Sequence, residues 1–238
     1  MEQNAAPGLT NRILARVVRA AAVTFEASVA RFGGKAFVSG NPVRPEFFQA
    51  PAPRTSDERR VLIFGGSQGA HAINLAMAAA AGELARLLPR IHVTHQTGPH
   101  DVEMVRDAYR RAGIDARVEP FLYEMHQEMH AADVVVCRAG ATTLAELAAA
   151  GKPAILVPLP TATDDHQRVN AAAMAVQGAA VLVDQRDADG ARLAREIAAL
   201  AADLAARTRM GRAAARLARP NAAAEIAARI LELAGERA

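Results

Sequence analysis

Three polar clusters, each placed directly after a short apolar run, carry most of the chemistry the sequence can offer. The first is Gly65-Gly66-Ser67-Gln68-Gly69-Ala70, between the run VLIFGG (61–66) and a helical pattern over 69–88. Glycines let a backbone turn sharply and approach an anion, and a following helix offers unpaired N–H groups and a positive dipole end. Ser67 adds a hydroxyl donor. The plain alternative is a tight strand-to-helix turn that needs glycine for geometry alone. The spacing matches neither G-x-G-x-x-G nor G-x-x-x-x-G-K-[ST]. A NAD site would also want an acid near the end of the second strand, which instead reads His95-Gln96-Thr97-Gly98.

The second cluster is Arg138-Ala139-Gly140-Ala141-Thr142-Thr143-Leu144-Ala145-Glu146, after VVVC (134–137). Backbone amides from Ala141 to Leu144 can meet a phosphate. Glu146 lies about one turn into the helix, where a carboxylate can accept from paired sugar hydroxyls or merely complement the helix dipole. The third is Pro160-Thr161-Ala162-Thr163-Asp164-Asp165-His166-Gln167 with Asn170, after AILVPLP (154–160). Its side chains can hydrogen-bond sugar hydroxyls, or the acid pair can simply open a helix. Asp187-Ala188-Asp189 has the D-x-D spacing of some metal-dependent sugar transferases, but it sits in a turn ending at Gly190, where turn chemistry suffices. His126 and His130 have helical i,i+4 spacing without a third ligand, so no metal site is expected. His92 and His95 read as structural, and Cys137 as a small buried apolar residue.

The elements that must position these groups follow from the pattern. From Val61 onward, short apolar runs alternate with helical stretches: runs at 61–66, 91–96, 116–121, 134–137, 154–160 and 179–184, helices at 69–88, 102–113, 123–132, 142–151 and 166–178, then helices to the end. This predicts an α/β, Rossmann-like, doubly wound parallel sheet covered on both faces. Right-handed crossovers then bring the three clusters to one sheet edge. Residues 1–44 have another texture: a helix RILARVVRAA, with Asn11 as a candidate cap, and strands at 22–25 and 35–40. They read as the last βα part of a further lobe. Pro45, Pro51 and Pro53 mark 45–60 as a linker. The domain reading is therefore a remnant over 1–44, the linker, a Rossmann-like domain over 61–218, and a C-terminal helix over 219–238.

Composition narrows the class. The 238 residues are 51% hydrophobic and 22% charged, the balance of a chain with a full core. No stretch approaches the roughly 20 apolar residues of a membrane span. The opening MEQNAAPGLTNR lacks a secretory pattern. The single cysteine excludes a disulfide framework. All of this favours the cytoplasm. A net charge of +3, aromatics at 4% and no tryptophan argue against nucleic acid. Arg207, Arg209, Arg212 and Arg216 read as a solvated helix face. A basic surface against an anionic membrane is compatible with the charge.

Taken together and in order, EQNAAPGLTNR, SGNPVR, GGSQGA, HQTG, ADVVVCRAGATTLAELAAAGKPAILVPLP and DDHQ with a following NA resemble the MurG family. These are the UDP-N-acetylglucosamine transferases that complete lipid II in peptidoglycan synthesis. The resemblance implies a GT-B fold of two Rossmann-like lobes, with the donor sugar nucleotide in the C-terminal lobe. It implies that the backbone of Leu122 meets the uracil edge, with Arg44 near the nucleotide. Ser67 and the turn Ala141, Thr142, Thr143, Leu144, Ala145 would hold the diphosphate, Glu146 the ribose, and Gln167 with Asn4 the N-acetylglucosamine. Ala139, where the family often has serine, and Thr143-Leu144-Ala145 depart from the pattern around backbone contacts. The resemblance implies no cofactor and no metal, a lipid I acceptor held by the N-terminal lobe, and a peripheral place on the cytoplasmic face of the cell membrane. It also implies that the chain lacks most of that lobe, including a glycine-rich loop and the catalytic base, so that alone it would bind donor without transferring sugar. Competing expectations are another UDP-sugar GT-B transferase or epimerase, or a non-catalytic UDP-sugar-binding module.

Overall fold

The computed structural model describes residues 1–49, 57–66 and 68–235. A small N-terminal unit comes first. Helix α1 (Leu9–Leu14) follows Gly8, and no side chain caps it. Asn11, expected as the cap, instead donates its Nδ2 to the Glu2 carboxylate at 2.9 Å. A buried carboxylate needs donors more than an exposed helix end needs an acceptor. Strand β1 (Ala21–Val23) pairs in parallel with β2 (Ala36–Val38), joined by a 3₁₀ segment over Glu26–Phe32. Ala21, Val23 and Phe32 form the small core of this unit.

The stretch expected to be a linker contributes to the main core. Pro45–Phe48 forms a 3₁₀ turn and Phe47 is fully buried beside Leu62, Phe64 and Leu147. Proline starts such a turn readily, because its fixed φ suits the first helical position.

The main sheet begins at Arg59. Its chain order is β3 (Arg59–Phe64), α2 (His71–Leu87), β4 (Ile91–Gln96), α3 (Val102–Ala112), β5 (Asp115–Glu119), α4 (Met125–Ala131), β6 (Val134–Cys137), α5 (Ala141–Ala150), β7 (Ala154–Leu156), α6 (His166–Val176), β8 (Val181–Leu182), α7 (Gly190–Ala202), α8 (Leu204–Ala215) and α9 (Ala222–Gly235). The six strands lie in the order β5-β4-β3-β6-β7-β8, each pair parallel. Val61 and Ile63 of β3 enter one core layer with α2, α3 and α7, while Leu62 and Phe64 enter the other with α4, α5 and α6. Burial on both faces explains the unbroken apolar runs.

Three local expectations change. The strand in the run 154–160 ends at Leu156: the Val157 amide still bonds the Cys137 carbonyl at 2.9 Å, and Pro158 and Pro160 have no N–H to carry the ladder further. Asp189 caps α7 by accepting from the Arg192 amide, so Gly190 opens a helix and does not close a turn. Arg207 is buried and donates to the Leu200 and Ala201 carbonyls at the end of α7. Helix α9 runs back along the N-terminal unit, where Arg19 donates to the Leu233 carbonyl at 3.0 Å. No helix among the described residues is long and apolar enough to cross a membrane.

Candidate functional site

Strand order reverses between β3 and β6, and the crevice beyond the carboxyl ends of such strands is where open α/β sheets bind ligands. The first two sequence clusters flank that crevice. After β3, Gly66 and Gly69 take positive φ of 92° and 75°, a region that admits glycine without strain. Ser67 lies outside the described residues. The turn is braced from the side by the end of β4: a Cβ on Gly69 would collide with the Thr97 carbonyl, and one on Gly98 with the Gln68 carbonyl. Gln96, almost fully buried, donates through Nε2 to the Gly66 carbonyl at 2.7 Å. Its Oε1 accepts the Leu122 amide at 3.3 Å. The exposed rings of Phe121 and Tyr123 flank Leu122 and meet edge to face at 5.0 Å.

Behind this bracing lies a buried polar chain. Asn74 donates to the Thr97 carbonyl at 2.8 Å and to Asp101 at 2.7 Å, and its Oδ1 faces His95 Nε2 at 3.0 Å. His95 Nδ1 meets the Tyr109 hydroxyl at 3.0 Å. Burial pulls the His95 imidazole down to about 3, so it stays neutral. Burial pushes the Asp101 carboxyl up, yet hydrogen bonds from Asn74 and His71 outweigh it and hold the group below its ordinary value.

After β6, Gly140 leads into α5 with no side chain capping the helix. The amides of Ala141, Thr142 and Thr143 therefore have no intrahelical acceptor. Leu144 differs: its amide is bonded to the Gly140 carbonyl at 3.0 Å and its side chain is in the core. The resemblance placed it among the phosphate contacts, but the helix ladder has already taken its donor. Thr142 is exposed and its hydroxyl lies 3.5 Å from Asn41 Nδ2. Ala145 and Glu146 are half-buried one turn further on. Burial pushes the Glu146 carboxyl above its ordinary value, and the charge of Arg44 partly restores it. Arg44 itself is exposed, with its guanidinium 5.3 Å from the centre of the Phe47 ring. Cys137 is fully buried and its thiol is pushed up by burial and by Glu146, so it is no nucleophile.

The third cluster ties these turns to the N-terminal segment. Gln167 Oε1 accepts from the Leu159 amide at 3.0 Å and the Ala139 amide at 3.3 Å. That leaves its Nε2 as a donor held in place by the backbone. Asn170 is fully buried; it accepts the Ala5 amide at 2.8 Å and donates to Asn4 Oδ1 at 3.0 Å and to the Ala139 carbonyl at 3.3 Å. Asn4 donates in turn to Glu2, which is 2% exposed and also accepts from Gly8 and Asn11. Between Gln167 and the preceding loop, Asp164 and Asp165 hold φ near +50°. Such backbone costs of order 1–3 kcal/mol and persists where surroundings over-determine it. Arg138, buried with no carboxylate partner among the described residues, donates to the Val157 and Pro158 carbonyls at 3.0 Å and to Gln185 at 2.7 Å. Burial lowers its guanidinium from the usual value.

The structure thus gathers Leu122, Arg44, Ala141, Thr142, Thr143, Glu146, Gln167 and Asn4 around one edge. Sequence reasoning gave no role to Gln96 or Glu2, although both lie in stretches that carry the resemblance, HQTG and EQNAAPGLTNR. A cavity of about 590 Å³ runs behind the start of α5, lined by Ala141, Leu144, Ala145, Phe25 and Met174. Its lining is mostly apolar, with Glu26, Asn41, Gln177 and Arg219 among it, and does not include Glu146 or Gln167. The one cluster of possible metal ligands among the described residues, Glu58, His92 and Asp115, lies at the opposite edge of the sheet. There His92 Nδ1 pairs with Asp115 at 2.7 Å.

Known proteins share this arrangement. The profile of the glycosyltransferase family 28 C-terminal domain matches residues 60–228. A UDP-N-acetylglucosamine–N-acetylmuramyl-(pentapeptide) pyrophosphoryl-undecaprenol N-acetylglucosamine transferase of Anaeromyxobacter sp. (strain Fw109-5) is 48% identical over 239 residues, 99% of this chain and 63% of the relative. The same-named protein of Pelobacter propionicus is 43% identical, over 97% of this chain and 67% of the relative. The crystal structure of Acinetobacter baumannii MurG superposes with a TM-score of 0.80 at 32% identity, covering 97% of this chain and 66% of that one. The chain spans about two thirds of the length of the proteins it matches, and with these identities it belongs to the MurG family of glycosyltransferases.

Proposed function

We propose that this chain binds UDP-N-acetylglucosamine and forms the donor half of a transferase. The enzyme moves N-acetylglucosamine to the muramyl 4-hydroxyl of lipid I. One observation carries the reading: two glycine turns face each other across the switch point, one opening an uncapped helix with a half-buried carboxylate one turn in. In the reaction the acceptor hydroxyl attacks the anomeric carbon and UDP departs. Charge builds on the leaving diphosphate, and amides at Ala141 to Thr143, with Ser67 and the Gly65–Ala70 turn, stabilise it without reorganising. Glu146 accepts from the ribose hydroxyls. The fixed Nε2 of Gln167 donates to a sugar oxygen, with Asn4 beside it, and Leu122 reads the uracil edge. The base that takes the acceptor proton is not assigned to a residue of this chain. The acceptor is membrane-embedded, so the enzyme works at the cytoplasmic face of the membrane.

Calorimetry with UDP-N-acetylglucosamine, UDP, dTDP and NAD tests the reading. Selective binding of the two uridine ligands is expected. Tighter binding of NAD than of UDP overturns it. Equal binding of dTDP and UDP favours a different sugar-nucleotide transferase.

A further inference from the structure

We propose that Gln96 is a positioning residue that couples base recognition to phosphate binding, by holding the Gly66 turn and the Leu122 backbone with the two ends of one amide. The inference rests on the nucleotide reading above and names how that site is kept in register. Gln96 is the last residue of β4, paired with Phe64 of β3 on one side and Glu119 of β5 on the other. Its side chain therefore stands between the turn that follows β3 and the segment that follows β5. Ladder bonding continues past the strand, from the Thr97 amide to the Glu119 carbonyl at 3.0 Å and from the Gly98 amide to the Pro120 carbonyl at 3.2 Å. This brings Leu122 within reach. Nε2 then fixes the tilt of the Gly66 peptide, and Oε1 fixes the Phe121–Leu122 peptide, whose neighbouring backbone edge would read the base.

The chemistry requires an amide. One end must donate to the carbonyl of the exposed Gly66 while the other accepts from the buried Leu122 N–H. A carboxylate at this position keeps the acceptor for Leu122 but presents an oxygen to the Gly66 carbonyl. An alanine removes both, leaving the buried Leu122 amide unsatisfied and the Gly66 carbonyl, on an exposed residue, without its brace. The two ends can therefore be separated by substitution.

The test measures UDP and CDP affinity of residues 1–238 by calorimetry, with melting curves for each variant. CDP differs at the base edge alone, since its N3 accepts where that of uracil donates. In Gln96→Ala, UDP affinity should fall about tenfold and the preference for UDP over CDP should shrink with it. In Gln96→Glu, UDP affinity should fall while the preference is kept, because the Leu122 contact survives. A purely structural role would lower affinity for both nucleotides equally in both variants, and that outcome overturns the proposal. If Gln96→Ala does not fold, Gln96→Glu decides: parental UDP affinity in that variant overturns the proposal. A parent chain that binds neither nucleotide overturns the nucleotide reading itself, and this inference with it; a parent selective for UDP whose variants match it overturns this inference alone.

Discussion

Removing the Glu146 carboxylate should separate folding from ligand binding in opposite directions. The group is half-buried and no hydrogen bond from the described residues reaches it, so in the free protein its charge is held at a cost. Burial raises its proton affinity in the folded chain above that of the unfolded chain, and Arg44 offsets only part of this. The sign follows from linkage: Glu146 weakens the fold at neutral pH, and that penalty is relieved as pH falls through the raised value. Glu146→Gln keeps the shape and deletes the charge, so its melting temperature at pH 7 should equal or exceed that of the parent. Ligand binding should move the other way. Hydrogen bonds to a charged acceptor are worth about 1.5–3 kcal/mol, so Glu146→Ala should weaken UDP-N-acetylglucosamine binding about 10- to 150-fold. The same logic predicts that parental affinity declines on acidification at a higher pH than an unperturbed glutamate would give, and that Glu146→Gln flattens this decline. The sugar nucleotide suits the titration because each of its phosphates carries one ester and one anhydride bond and has no ionisation there. Calorimetry from pH 7.5 to 4 reads the effect. Affinity within twofold of the parent in Glu146→Ala, or a marked drop in melting temperature in Glu146→Gln, would refute the reasoning.

Two further outcomes can be checked by denaturation. Phe47→Ala should cost about 3–5 kcal/mol in urea unfolding, because a fully buried ring is lost from the main core; a loss under 1 kcal/mol would return residues 45–48 to the status of a tether. His95, neutral in the fold with a value of about 3 against 6.5 when unfolded, should contribute stability that is complete above pH 6.5 and lost as pH falls below it. The slope is at most about 1.4 kcal/mol per pH unit from this group, and between pH 6.5 and 5 it should vanish in His95→Gln.

The sheet was legible because its strands are buried on both faces, which leaves uninterrupted runs such as VLIF and VVVC that few other elements produce. The glycine turns were legible for a related reason: glycine between a strand and a helix marks a backbone requirement. Phe47 was not, because one aromatic among prolines has no periodicity and its burial depends on a core assembled from distant residues. Asn11 was misread for want of Glu2, whose burial no local pattern announces. Leu144 shows the limit of carrying roles over by position. Its place in a motif suggested a ligand contact, while its amide belongs to the first full turn of α5. Gln96 stood in plain view beside a position inspected for an acid. Its two bonds arise only when β3 and β5 have taken their places on either side of β4.

The meeting of Gly69 with the Thr97 carbonyl and of Gly98 with the Gln68 carbonyl has a consequence for how this protein can vary. Each glycine leaves room for the other turn's backbone, and both hold positive φ. A side chain at either position must push the opposite turn away, and no smaller residue exists to make the compensating change. Substitution at one cannot be rescued at the other, so the pair has no stepwise route out of glycine. Sequence drift at this edge is confined to the side chains around the two turns, while the backbone contact between them behaves as a single inherited character.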